Sequence, residues 1–546
     1  MANITAVNLL SVPLGKDYAH TLYFATKEEQ EIYFSEHEKM SFSDFSYQRK
    51  DSTIRVPAHI DTIFALGCNY VSYQNKAYSD KVFYAFITDM RYVNDERTDI
   101  VIETDVLQTW HFDYEILPTF VEREHAAHDE QGEHTIAEGL ETGDYKVIET
   151  KNIQLGGDPA IVAAVTKTPD EKSSVGRMYH GTYSGLAYIA FPKDGADFET
   201  FVKQYDGDAA GEAISMVFLA PTALLRNADG ETVYGQALPA SKEPFTVLIN
   251  KESAAQTGDV ELVTEFQKDI DGYTPKNKKL LCYPYRYLLV SNNAGAAAVY
   301  KFEKFRTRTL EMQMEPSFII RGCLTPGCSI RLVPVWYNGS PENHEEGLTM
   351  GKFPTLNWTS DAFTNWLTQN SVNIGLDIVS GAAQIVGGAG VAMTSGGLGL
   401  AMGGGSIMSG LTSIAGTLGQ VYQHSLTPPQ AKGNTNSGDV ITASGNTEFK
   451  LYTMTIKREY AELIDDFFTM YGYKCHRVKI PEKDHREAFW YTKTIDANIT
   501  GAIPQGDLQT IKNAFNKGIT FWKTREHFRD YSVSNEIITR DVNTQI

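Results

Sequence analysis

From Ile378 to Ala431 the chain contains no Asp, Glu, Lys or Arg, and that gap constrains the fold more than any other feature. Charged residues make up 21% of the 546-residue sequence, so a run of about fifty uncharged positions lies far outside chance. Two helical pieces are legible in and around it. Ile374, Ile378, Ala382 and Ile385 recur at helical spacing, with Leu376, Val379, Ala383 and Val386 on the neighbouring stripe. Ile407, Leu411, Ile414, Leu418 and Val421 follow in alternating steps of four and three, with Met408 beside the first of them. Between the pieces, Gly387 to Gly405 is dense in glycine and broken by Val391, Met393, Leu398, Leu400 and Met402. Each glycine costs a helix about 1 kcal/mol relative to alanine, so this middle does not make a stable helix in water.

In a bilayer the balance changes, because backbone groups must be satisfied internally and small residues let helices approach closely. Gly399 and Gly403 have GxxxG spacing, and Ser406 and Gly410 repeat it with small residues. Each piece approaches the ~20 residues needed to cross hydrocarbon, so a helical hairpin is dimensionally possible. Three other readings compete. A buried core hairpin needs no membrane. A flexible linker seldom carries so many Ile, Leu and Met residues. A phosphate-binding loop could begin at Gly388-Ala389-Gly390, but Met393 stands where the third glycine belongs and no acid lies ~20 residues on. A membrane-active or oligomer-packed segment is the reading that best fits small, apolar, uncharged chemistry inside a polar chain.

The rest of the chain reads as mainly β, α+β overall, because aromatic and β-branched residues dominate most windows. Lys81 to Val93 and Ile100 to Trp110 have strand chemistry around a turn at Asn94-Asp95-Glu96-Arg97, which predicts a long hairpin. Glu122 to Tyr145 is polar. Residues 146–275 are mixed and punctuated at Tyr205–Gly211 and Asn227–Gly230, as an inserted or second domain would be. Strand character returns in Leu280–Ser291, turns at Asn292–Gly295, and resumes in Ala297–Phe305 before running on to about Tyr337. Ser360-Asp361 caps a predicted helix start. Charge returns at Lys432, followed by a strand near Phe449–Lys457 and a helix near Asp507–Asn516.

The net charge of −19 repels phosphate backbones, the opposite sign to that of most proteins that grip DNA; it suits a protein that lets DNA slide past, and equally one that charge keeps soluble. The five cysteines imply no disulfide framework, and Cys323 and Cys328 have no second pair at zinc spacing. The N-terminus has no basic region ahead of an apolar run, so synthesis in a cytoplasm is expected. Glu122, Glu124, His125, His128, Asp129 and His134 are metal-capable, but they match neither HExxH nor a calcium loop and read as a solvated polar loop. No GxSxG elbow or P-loop occurs, so no catalytic residue, cofactor or metal is expected.

Several islands carry a resemblance. Thr104–Asp113 (TDVLQTWHFD), Phe120–His125 (FVEREH), Gly139–Tyr145 (GLETGDY), Leu280–Asn293 (LLCYPYRYLLVSNN), Phe353–Asn370 (FPTLNWTSDAFTNWLTQN), Tyr471–Pro481 (YGYKCHRVKIP) and Gly501–Trp522 stand in the order found in the tail-knob proteins of phi-29-like short-tailed phages. The chain resembles that family over most of its length, least between about 150 and 275.

The resemblance implies tail-tube-like β-barrel or sheet domains forming a hexameric ring, with an inserted domain and a long hydrophobic helical or disordered loop. On that pattern residues 1–145 form the first part of a β-rich tube domain, 146–275 the inserted domain and 276–355 a second tube domain. Residues 356–440 form the loop, and 441–546 complete the tube. It further implies a virion protein of the distal tail, a homo-hexamer joined to upstream tail or collar proteins. Its lumen would pass double-stranded DNA without sequence-specific contacts, and its loops would plug the tube and then penetrate the host cell membrane. The residues expected to insert are Ile374, Ile378, Val379, Ile385, Val386, Val391, Met393, Leu398, Leu400, Met402, Ile407, Met408, Leu411, Ile414, Leu418 and Val421. Two other classes stay open on sequence. An envelope-degrading tail-tip enzyme would show a cleft with perturbed carboxylates, and a stand-alone pore-forming protein would assemble on membranes without a tail.

Overall fold

Alternation sets the first sheet. In Arg97–Thr104 the residues Thr98, Ile100 and Ile102 are buried while their neighbours face outward, as a half-buried strand requires. This strand pairs antiparallel with Phe83–Asn94, and the Asn94 side chain accepts from the Glu96 N–H (3.0 Å) to shape the turn between them. A computed structural model describes residues 5–45, 52–75, 81–155, 159–169, 177–193, 196–205, 213–227, 229–249, 268–292, 297–305, 316–324, 330–338, 348–349, 355–358, 431–434 and 448–538. They fall into two compact units, one of Met1–Leu140 with Leu463–Ile546, the other of Glu141–Glu462.

In the first unit the hairpin belongs to a six-stranded antiparallel sheet in the order Glu38–Phe45, Thr5–Leu10, Tyr70–Asn75, Phe83–Asn94, Arg97–Thr104, Thr53–Val56. Val7, Leu9, Ile54, Val71, Ala85 and Ile100 form its buried face, each large side chain stabilising by about 1.5–3 kcal/mol. A five-stranded sheet interleaves the two ends of the chain, in the order His20–Leu22, Ile519–Trp522, Phe489–Ile495, Thr119–Glu124, Tyr473–Lys479. Within it His20–Leu22 runs parallel to Ile519–Trp522, and the other neighbours are antiparallel. The helix Gln505–Lys517 packs Leu508, Ile511, Ala514 and Phe515 against Trp490 and Phe521 of this sheet, and stops at Gly518 with φ +96°.

The predicted strand Ile100–Trp110 ends early, at Thr104. Asp105 caps a one-turn helix, Val106–Thr109, by accepting from the Leu107 and Gln108 N–H groups (both 3.1 Å). Around this cap the buried polar groups satisfy one another. Tyr70 donates to the other Asp105 oxygen (2.8 Å), and Gln108 donates to Thr21 Oγ1 and the Leu22 carbonyl (both 2.9 Å). Trp110 Nε1 donates to Asp507 Oδ2 (2.9 Å), tying the N-terminal part of the chain to the helix Gln505–Lys517.

Among the described residues the second unit contains three larger sheets. One is ordered Tyr145–Gln154, Glu448–Ile456, Arg286–Ser291, Ala297–Tyr300; another Phe245–Ile249, Phe318–Gly322, Arg331–Pro334, Leu348–Thr349. The third is ordered Ala187–Phe191, Ala160–Val165, Ile214–Ala220, Thr355–Trp358, Ala431–Asn434. Every side chain of Ala160–Val165 and Ala187–Phe191 is buried. The core joins Tyr179, Tyr188 and Phe218 to Leu288, Val290, Phe318, Phe449 and Leu451. The strand read at Phe449–Lys457 is present as Glu448–Ile456. Asn227 Oδ1 accepts from the Asp229 and Glu231 N–H groups (both 3.0 Å), an Asx turn at the predicted punctuation. The predicted helix start at Ser360-Asp361 lies outside the described residues.

Candidate functional site: the base of the uncharged segment

All sixteen residues expected to insert into a membrane, from Ile374 to Val421, lie outside the described residues. Among the described residues no helix is long and apolar enough to cross a membrane. The structure does describe how the chain leaves and returns. Thr355–Trp358 and Ala431–Asn434 pair antiparallel, with Thr355 opposite Asn434 and Trp358 opposite Ala431. Opposed residues in such a pair have Cα atoms about 5 Å apart, so residues 359–430 begin and end at one point.

That base is strung on a buried platform. Thr355, Leu356 and Asn357 pair with Phe218, Val217 and Met216 of Ile214–Ala220, which in turn pairs with the fully buried Ala160–Val165. Residues 160–220 therefore supply the sheet whose outermost pair is the base of the uncharged segment. Sequence reading gave no signal for this. The two base strands have four residues each and no alternation long enough to register, and Ala431 counts inside the uncharged run.

The polar cluster near residue 125 divides: His128, Asp129 and His134 lie in a loop, with His128 exposed, but Glu122, Glu124 and His125 are not part of a solvated loop. Glu122–Glu124 belong to a central strand of the five-stranded sheet, and Glu124 and His125 are buried. Glu124 pairs with Lys479 and accepts from the Glu482 N–H (3.0 Å), while burial still holds its carboxyl above the ordinary range. His125 Nδ1 accepts from the Tyr491 N–H (2.8 Å), which leaves the Nε2–H to donate to the Thr469 carbonyl (3.0 Å). This is a neutral tautomer, pushed far below the usual imidazole range by burial. Glu122 pairs with Lys493 (3.0 Å), Tyr473 donates to Asp129 (2.8 Å), and His134 Nε2 meets the His128 carbonyl (2.8 Å). Beside them, burial raises the Cys475 thiol to about 12, which makes it a poor nucleophile. The cluster holds structure together by spending most of its polar atoms on residues 469–493.

This arrangement sets an acid dependence. Burial lowers His111 and His485 to about 4, and His485 has no hydrogen-bond partner for either ring nitrogen among the described residues. The unfolded chain takes up protons below the ordinary histidine value of about 6.5, and the folded chain does not until about 4. Their contribution is therefore complete above the unfolded value and is lost as pH falls toward the folded one. Asp105 acts oppositely: burial raises it to about 6, so its contribution is present below the ordinary aspartate range and lost as pH rises through that value. The histidines outnumber it. Acidification from about pH 7 to about pH 4 is expected to cost on the order of 3 kcal/mol net, at about 1.4 kcal/mol per unit of each shift. Calorimetric melting across that range checks this, and His485→Phe is expected to flatten the acid limb.

Known proteins align along the whole chain. The family model for the C-terminal domain of the Bacillus phage phi29 tail knob protein gp9 matches residues 250–536, and the model for the N-terminus of caudoviral major tail proteins matches residues 3–115. The tail knob protein gp9 of Bacillus phage phi29 is 27% identical over 97% of this chain and 98% of its own length. The gp9 protein of Bacillus phage B103 is 27% identical over 98% of both. The structure of the bacteriophage C1 tail knob protein gp12 aligns with a TM-score of 0.61 at 14% identity, covering 98% of this chain and 100% of that one; at that identity the likeness is one of fold.

Proposed function

We infer function from one premise, that this chain belongs to the family of the phage phi29 tail knob protein gp9 and is a structural protein of a phage tail. We propose that it forms a hexameric ring or tube at the distal end of a short tail, continuous with upstream tail or collar proteins. Double-stranded DNA passes through its lumen without sequence-specific contacts. The uncharged segments of the ring plug the lumen and, on genome release, emerge to open a path through the host cell membrane. The protein is made in the host cytoplasm, becomes part of the virion, and acts at that membrane without catalysing a reaction.

One observation carries this reading beyond the family: the antiparallel pairing of Thr355–Trp358 with Ala431–Asn434. It makes the uncharged run an excursion closed at its base, able to change its surroundings while the sheet that carries it stays folded. Packed against its copies, the segment keeps its apolar stripes from water; in lipid it buries apolar area worth ~25 cal/mol per Å². Several copies in one ring multiply a weak individual insertion. A chain of net charge −19 limits adhesion of the passing DNA.

Ile385→Asp and Leu411→Asp test the reading in assembled particles. A charge at the centre of a membrane-spanning helix costs about 3 kcal/mol. The variants are expected to fold and assemble while genome delivery drops at least tenfold, measured as DNA entering cells per adsorbed particle. Failure to assemble would instead make the segment a buried core element.

A further inference from the structure

A tight hairpin in the second unit carries an imidazole where its backbone favours another residue. Arg177–Tyr179 and Thr182–Ser184 pair antiparallel around His180 and Gly181, whose φ angles are +47° and +79°. A two-residue turn with positive φ at both positions favours Asn-Gly. Histidine at the first position is the less favourable choice, and its ring lines a cavity of about 470 Å³. That volume is in the range that encloses a small molecule. Tyr179, Leu224, Leu225, Leu238 and Leu324 are buried and form the cavity floor, while Gly230, Pro239 and Ala240 are exposed at its rim.

The polar groups of the lining are few and held in place. The His180 Nε2–H donates to the Leu224 carbonyl (2.9 Å), which makes Nδ1 an acceptor. Burial lowers this imidazole, so it is neutral near pH 7 and Nδ1 keeps that role. Ser241 Oγ lies 3.4 Å from His180 Nδ1 and 3.3 Å from the Glu243 carbonyl, both long for a hydroxyl donor. The Ser241 backbone is fixed to the hairpin through the Met178 carbonyl (2.8 Å) and the Gly181 N–H (3.0 Å). Asn227 spends its Oδ1 on the Asx turn, which leaves its amide N–H groups to donate. Among the described residues no carboxylate lines the cavity, so it offers nothing to a cation. Arg226 lines it, but the exposed acids Asp229, Glu231 and Glu243 flank lining residues in the chain, and exposed Lys242 offsets only one of them. An anion therefore gains little here. These walls suit an uncharged ligand that has hydroxyl groups on one side and an apolar C–H face on the other.

We propose that this cavity binds one uncharged sugar unit of a glycan, with His180 Nδ1 and Ser241 Oγ holding its hydroxyl groups and the leucine floor taking its apolar face. The site adds recognition to the conduit and does not depend on it, so its failure leaves the reading above untouched.

Saturation-transfer NMR on the full chain tests it. The probes are the methyl glycosides of glucose, galactose, N-acetylglucosamine and N-acetylgalactosamine, the corresponding free sugars, and glucose 1-phosphate. At least one methyl glycoside, whose anomeric position is blocked as it is inside a glycan, should bind. Ser241→Ala should weaken that binding at least about tenfold. His180→Asn should weaken it as much while holding or raising the melting temperature, because Asn-Gly is the pair the turn favours. A histidine that only braces the hairpin would show the reverse, a lower melting temperature and unchanged binding. If His180→Asn misfolds, Ser241→Ala decides. Binding by none of the glycosides, or binding that Ser241→Ala leaves intact, overturns the site. Binding of free sugars alone overturns the glycan unit as ligand, and tighter binding of glucose 1-phosphate than of glucose overturns the uncharged one.

Discussion

Gly472→Ala is expected to destabilise the first unit by more than about 4 kcal/mol and to leave little soluble protein. Gly472 follows the helix Arg458–Tyr471 with φ +64°, and its N–H donates to the Phe468 carbonyl (2.8 Å), the left-handed stop that glycine provides without steric cost. A methyl group there would fall inside contact distance of the Glu124 carbonyl and the His125 nitrogen. Those atoms are backbone in a buried strand, so no side-chain rotation can make room. Arg123 adds a second constraint by donating to the Gly472 carbonyl (2.7 Å) while pairing with Glu138. Gly506→Ala is the control. Gly506 lies in the helix Gln505–Lys517 with open space around it, and alanine there should stabilise by about 0.5–1 kcal/mol. Chemical denaturation of both variants checks the contrast; equal stability would mean that the strand and the helix end are not this close.

Asp105→Ala is expected to cost about 3 kcal/mol, because it removes a cap and leaves the Tyr70 hydroxyl and two backbone N–H groups buried without an acceptor. Asp105→Asn should cost much less. Its amide oxygen still accepts from the helix, and it does not place a charge where burial already raises the carboxyl to about 6. A variant pair of equal stability at about pH 7 would show that the carboxyl group does not hold this turn.

Much of the fold was legible where the signal is local. The hairpin Phe83–Thr104, the strand Glu448–Ile456 and the helix Gln505–Lys517 each write their periodicity into adjacent residues. The reading failed where one residue acts against its neighbours. Val106, Leu107 and Trp110 suit a strand, but the Asp105 side chain satisfies two N–H groups at once and turns the chain. It also failed where distant partners decide. Glu124 and His125 look like a polar loop until Lys479, Glu482, Thr469 and Tyr491, more than 300 positions away, supply their partners.

The uncharged segment was visible at once, because the absence of charge is itself a local pattern. Its base was not, because two short strands on either side of a long excursion recognise each other only through the platform formed by Ile214–Ala220 and Ala160–Val165. That base now defines how to remove the segment cleanly. Trp358 and Ala431 are opposed, so Asn-Gly in place of residues 359–430 would close the strands with a two-residue turn and leave the platform intact.

Dye release from anionic vesicles, comparing the full chain with this Asn-Gly variant at equal concentration and checking both for melting temperature and association, is the direct test that membrane activity resides in the uncharged segment. Leakage by the full chain and none by the equally stable variant is the predicted result. Equal leakage from both, or none from either, would contradict it.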